Sequence, residues 1–269
     1  MAEGVLARHH VMDMGSGDRV IVLAHGFGCD QRMWRHVAPA LAADHRVILF
    51  DHVGSGRSDA SSWRPERYAS LADYGRDVIE ILDALKCGPV VFVGHSVSSS
   101  IGMLAAIARP ELFERLVMLC PNPCFVNDPP AYEGGFERED IMDLLELMDR
   151  NMSDWANFFA PVAMKNEDQP ALRSELAQSL CAGDPVIVRH FAQLVFWADV
   201  RDRLPLLRVP SLILQGGDDS IAPLSVGDYM HAHLPQSTLV RMAASGHCPH
   251  MSHPSETVQL IRAYLDTTV

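Results

Sequence analysis

Two patterns of apolar residues alternate along the chain. The first is a short continuous run: residues 20–24, 47–50, 90–93, 116–119, 211–215 and 238–242 are apolar through most of their length. Such runs predict strands covered on both faces, as in a parallel sheet. The second is a helical stripe. After Asp30, a potential N-cap, Met33, Trp34, Val37 and Leu41 fall on one face. Val78, Ile79, Leu82 and Leu85 do the same within 71–85, which Gly88 and Pro89 terminate. Residues 97–108 are rich in alanine and small side chains with Pro110 just beyond, and 224–233 and 254–265 complete the helices. Strands alternating with helices predict an α/β fold, a mostly parallel and doubly wound sheet with helices on both faces.

The alternation stops between 122 and 203. No buried strand is expected there. Ile141, Leu144, Leu145 and Met148 sit at helical spacing, as do Leu172, Leu176 and Leu180, and Ile187, Phe191, Leu194 and Val195. Pro129, Pro130, Pro161, Pro170 and Pro185 punctuate the segment. The expected organisation is a core from residues 1–121 and 204–269, with a helical insertion at 122–203.

Charge and cysteine content narrow the function classes. A net charge of -12, with no run of lysines or arginines, argues against a nucleic-acid surface. Residues 1–18 carry no long apolar stretch, so no signal peptide is expected, and no later run is long enough to span a membrane. Cys29, Cys87, Cys120, Cys124, Cys181 and Cys248 are scattered, and Cys120 and Cys124 make no CxxC pair. Buried, reduced thiols and a cytoplasmic setting are the expectation.

Chemistry enters at Gly94-His95-Ser96-Val97-Ser98, where the run 90–93 gives way to a helix. A strand, a sharp turn and a helix hold a serine hydroxyl at the tip of the turn. That hydroxyl needs a base, usually a histidine oriented by a carboxylate, and in this chain order the acid and then the base follow later strands. Both slots are filled. Asp218 and Asp219 follow the run 211–215, and His247 follows 238–242. All three loops belong at the carboxyl ends of parallel strands, where ligands bind. The two adjacent aspartates compete for the acid position, and spacing alone does not separate them. The backbone N–H of Val97, at a helix start, and that of Phe27, between Gly26 and Gly28, are the expected oxyanion donors. His25 and His95 flank this place, more in keeping with structural hydrogen bonds than with proton transfer.

Other motifs are weaker. Gly54 and Gly56 lack the third glycine of a dinucleotide fingerprint and the lysine of a P-loop, so the segment reads as a tight turn and no cofactor is expected. His247, His250 and His253 recur every three residues, but Pro249 and Pro254 oppose one regular helix, and no metal is expected. The insertion brings Trp155, Phe158, Phe159, Phe191, Phe196 and Trp197, either its own core or the lining of an apolar pocket over Ser96. Few charges lie near the site, which predicts a small, largely neutral, apolar substrate.

With these residues in place the sequence resembles an α/β-hydrolase. It is similar to the RsbQ-like branch of bacterial stress-response regulators and to the related plant karrikin and strigolactone receptors. The likeness runs through residues 25–31, 51–56, the 94–98 elbow, 127–130, 134–136 and 246–252. Ser98 departs from the general hydrolase pattern, where glycine is usual, but agrees with this branch. The resemblance implies an eight-stranded sheet and a four-helix cap. It implies a triad of Ser96, His247 and Asp219, the last chosen by its spacing to Pro223, with Phe27 and Val97 as oxyanion donors. By matching position it implies Trp155, Phe159, Phe196 and Ser220 as pocket residues. It further implies slow hydrolysis of a small hydrophobic ester or lactone, and work with an RsbP-like protein phosphatase upstream of a stress sigma factor. Two other uses of the site stay open: a ligand receptor in which turnover is incidental, and cofactor-free C–C hydrolysis or perhydrolysis on the same scaffold.

Overall fold

The computed structural model describes residues 2–267. Its strands are β1 (Met12–Met14), β2 (Val20–Ala24), β3 (Arg46–Phe50), β4 (Val90–His95), β5 (Phe113–Leu119), β6 (Ser211–Gln215) and β7 (Ser237–Arg241). They form one sheet ordered β1-β3-β2-β4-β5-β6-β7, with every pair parallel except β1 on β3. The continuous apolar runs are strands because both faces are covered: all residues of β2, β4 and β6 are buried.

The sheet has seven strands among the described residues, a correction to the eight implied by resemblance. Ahead of β1 the chain forms a helix, α1 (Ala2–Arg8), instead of a further edge strand. Arg8 at its end is held by Glu80 and by Asp77 at 3.6 Å.

The remaining helices are α2 (Ala38–Leu41), α3 (Leu71–Leu85), α4 (Val97–Ala108), α5 (Arg138–Arg150), α6 (Met152–Met164), α7 (Pro170–Leu180), α8 (Pro185–Phe196), α9 (Leu224–His233), α10 (Pro249–Ser252) and α11 (Pro254–Leu265). The stripe expected after Asp30 is split into a single 3-10 turn, Gln31–Trp34, and the short α2. Pro39 is the cause: it has no N–H to donate back to residue 35, and its ring collides with that carbonyl. Helices α5 to α8 all lie between β5 and β6, so the sheet pauses for four helices where the alternation was lost.

The turn from β4 into α4 is tight enough to exclude side chains. A Cβ on Gly94 would lie 2.4 Å from the backbone oxygen of Ser98, and backbone cannot yield as a flexible side chain would. Gly94→Ala should therefore lose about 3 kcal/mol or more of stability, the upper range for overpacking. Urea denaturation of the purified variant checks this; an unchanged midpoint would show that the turn has slack.

Candidate active site

Ser96 stands between β4 and α4 with φ +55° and ψ -121°, a conformation that L-residues rarely adopt. Such a backbone costs on the order of 1–3 kcal/mol and persists where its surroundings over-determine it. Here the Ser96 N–H is donated to the Leu119 carbonyl at 2.8 Å, and α4 begins at the next residue. The result is a hydroxyl raised at the carboxyl edge of the sheet.

His247 and Asp219 reach it from the loops after β7 and β6. Those loops are joined by a bridge between Asp218 and Ser245 and by the Gly246 N–H donated to the Asp218 carbonyl at 2.8 Å. His247 Nε2 lies 2.8 Å from Ser96 Oγ, and Nδ1 lies 2.7 Å from Asp219 Oδ2. The carboxylate can only accept, so the proton sits on Nδ1 and leaves the Nε2 lone pair facing the serine hydroxyl. The second Asp219 oxygen accepts the N–H groups of Ile221 at 2.8 Å and Ala222 at 3.0 Å, which fixes the carboxylate plane. Asp218 points elsewhere, to Lys165 Nζ at 3.0 Å. Of the two competing aspartates, Asp219 is the one brought to the histidine. All three side chains are buried.

Behind the base, His95 Nε2 donates to the His247 carbonyl at 2.7 Å. In front, the His247 N–H is donated to the Ala163 carbonyl of α6 at 2.7 Å. A Cβ on Gly246 would lie 2.3 Å from the Met164 oxygen, so only glycine allows this approach. Among the described residues, neither the Phe27 nor the Val97 N–H is donated to a protein acceptor, as expected of groups reserved for a ligand oxygen.

Over Ser96 lies a narrow cavity of only about 30 Å³. Its walls are Phe27, Phe125, Phe159, Leu180, Val195 and Phe196, and Ser96 and His247 are exposed to it. Of the residues named from resemblance, Phe159 and Phe196 line the cavity. Trp155 stands one layer back, fully buried, stacked on Phe159 at 5.3 Å and edge-on to Phe27 at 6.1 Å. Ser220 lies in the loop after β6 and is not among the lining residues. Phe125 was not singled out from the sequence; its signal was position, just beyond the carboxyl end of β5.

Cys29 and Cys248 also touch the cavity. Burial pushes the Cys29 thiol up to about 12 and the Cys248 thiol well above its ordinary value, so both stay protonated and are poor rivals to the serine. One group of metal-ligating atoms occurs among the described residues, Cys120, Asp219 and His247, all within 4.8 Å of one another. Asp219 and His247 are already bound to each other, and burial holds the Cys120 thiol in its protonated form. The donor set does not suit a resident ion.

Residues 21–260 match the family model described as "Alpha/beta hydrolase family". The chain belongs to the α/β-hydrolase family. It is 40% identical over 259 residues to a probable esterase of Oryza sativa subsp. japonica, covering 96% of this chain and 95% of that protein. Against the karrikin insensitive 2 receptor CA of Petunia hybrida the identity is 38% over 258 residues, covering 96% and 95%. A solved structure of a hydrolase from Oleispira antarctica superposes with a TM-score of 0.97 at 42% identity, covering 99% of this chain and 98% of that one. These likenesses span essentially the whole α/β-hydrolase chain. They make the protein a hydrolase of this fold, similar to plant esterases and karrikin receptors.

Proposed function

We propose that this α/β-hydrolase is a serine hydrolase that cleaves a small hydrophobic ester or lactone through an acyl-enzyme. The observation that carries the proposal is the continuous chain from Ser96 Oγ through His247 to Asp219, with links of 2.8 and 2.7 Å. Ser96 Oγ attacks the carbonyl carbon as its proton passes to His247 Nε2. Asp219 stabilises the imidazolium so formed. The oxyanion is met by the N–H groups of Phe27 and Val97, each worth roughly 3 kcal/mol in the transition state. The imidazolium then protonates the leaving alkoxide as the C–O bond breaks, leaving Ser96 acylated. Water, deprotonated by the neutral His247, attacks the acyl carbon and releases the acid, and Ser96 regains its proton.

The substrate class follows from the cavity. Its walls are mostly aromatic and aliphatic, and its small free volume favours a compact ligand that moves side chains aside on entry. Residues 122–203 act as the cap that supplies much of this lining, over a core of 1–121 and 204–269.

Covalent labelling tests the nucleophile. A fluorophosphonate probe should add once per wild-type chain and not to Ser96→Ala, read by intact-protein mass spectrometry. Equal labelling of both proteins would remove Ser96 from its role.

A second reading is favoured by the likeness to a karrikin receptor: the protein senses its ligand, and turnover is incidental. In the RsbQ-like form of that reading it acts in the cytoplasm with an RsbP-like phosphatase. The six free cysteines suit a reducing compartment.

A further inference from the structure

Three buried residues outside the triad form a closed set of hydrogen bonds beside it. Ser98 Oγ donates to the His25 carbonyl at 2.5 Å. His52 Nε2 lies 2.7 Å from the same Ser98 oxygen. The His52 backbone N–H meets His25 Nε2 at 3.1 Å, and His25 Nδ1 meets the Gly26 carbonyl at 2.8 Å.

Only one assignment of protons satisfies all four. A carbonyl accepts, so His25 carries its proton on Nδ1, and its Nε2 lone pair receives the His52 amide. The single Ser98 proton goes to the His25 carbonyl, so His52 must carry its proton on Nε2 and donate to Ser98. Burial lowers the pKa of both rings, which keeps them neutral and the assignment intact.

The end of this set is a particular peptide. The Gly26 carbonyl held by His25 and the N–H of Phe27 belong to one planar unit, so fixing the carbonyl fixes the direction of the N–H. We propose that Ser98 and His52 are positioning residues which, through His25, aim the Phe27 N–H at the oxyanion. The inference rests on the acyl-transfer reading above. It also gives a chemical use to the serine that stands where this fold usually has glycine. A glycine there has no hydroxyl, and both the His25 carbonyl and the ring N–H of His52 would be left without a partner in a dry interior.

The test uses Ser98→Ala, His52→Leu and the conservative His52→Gln, whose amide N–H reaches nearly where His52 Nε2 does. With p-nitrophenyl acetate, Ser98→Ala and His52→Leu should lower kcat by about 10- to 100-fold, somewhat less than loss of an oxyanion donor itself, with KM changed by less than about twofold. Affinity for an aryl trifluoromethyl ketone, whose hemiketal oxygen occupies the oxyanion position, should fall by the same factor. His52→Gln should recover most of both, and His52→Leu should add little in the Ser98→Ala background. A folded Ser98→Ala with wild-type kcat and ketone affinity overturns the inference. So does a loss of kcat with ketone affinity unchanged. If Ser98→Ala does not fold, the two His52 variants decide by the same readouts. Wild-type protein that neither turns over the ester nor binds the ketone overturns the acyl-transfer reading and this inference together; an active wild type with unaffected variants overturns this inference alone.

Discussion

Ser96→Ala and His247→Ala should each reduce kcat for a p-nitrophenyl ester by about 10⁴- to 10⁶-fold, and the double variant should lose no more than the worse single one. Members of a proton-relay unit are not additive, because removing either leaves the other without a task. Without His247 the serine proton has no acceptor: Nε2, at 2.8 Å, is the basic atom hydrogen-bonded to Oγ. Asp219→Asn should cost about 10⁴-fold near neutrality, since an amide can stabilise the wrong imidazole tautomer and does not stabilise the imidazolium. The residual rate should still exceed hydrolysis in water, because the Phe27 and Val97 amides are untouched. Steady-state kinetics of the four variants, with circular dichroism to confirm folding, checks the set. Multiplicative losses in the double variant would mean that Ser96 and His247 act separately.

The second large effect is loss of stability in mild acid. His9, His25, His52, His95 and His250 are all buried, and burial lowers the pKa of each, that of His250 to about 3. In the unfolded chain each takes up a proton near the ordinary value of about 6.5. The folded state binds fewer protons, so stability rises with pH across this window. The contribution is complete above about pH 6.5 and is lost as pH falls from there toward the folded values. The loss continues for each group until the pH reaches its folded value, which for His250 is about 3. The melting temperature should therefore fall by at least several degrees between pH 7 and pH 5, about what the loss of 1–2 kcal/mol produces. His250 sharpens the test: it lies against Trp34 at 4.6 Å, and neither of its nitrogens has a partner among the described residues. His250→Phe removes one titrating group and two unpaired polar atoms, so its melting temperature should decline less over that range. A flat profile down to pH 5 in wild type would show that these rings are protonated in the fold.

What could be read from the sequence followed the physics of burial. Strands β2 and β6 and helices α3, α4, α9 and α11 coincide with their expected limits, because the strands are short, mostly apolar runs buried on both faces, α3 is a single-faced stripe, α4 is a run of small and apolar residues, and glycine or proline stands near an end of most of them. β1 was not legible: it is three residues, Met-Asp-Met, none of them buried, on a sheet edge. Helix α6 was obscured for two reasons. Pro161 lies inside it, and its aromatics fall on more than one face, with Trp155 and Phe159 buried and Phe158 58% exposed. Chain order alone pointed to Ser96, His247 and the aspartate pair. It could not choose between neighbours such as Asp218 and Asp219, which the loop sends to Lys165 and His247 respectively. The Ser98–His52–His25 set has no spacing to betray it, since its members come just beyond the ends of three different strands.

The attachment of His247 to α6 bears on how anything enters the cavity. The loop that carries the imidazole is tied to the end of that helix by the Ala163 carbonyl and by Asn166 Nδ2 to the Ser245 carbonyl at 2.9 Å, and the neighbouring acid loop is tied there by Lys165 on Asp218. Lifting α6 as a rigid lid would tear the base from its serine. Rotation of the aromatic side chains that line the cavity leaves these ties intact, whereas α7 is itself bound to the end of α6 by Arg173 on the Lys165 carbonyl. A ligand pressing on the Phe159 and Ala163 side of the cavity leans on the same helix end that holds the His247 amide.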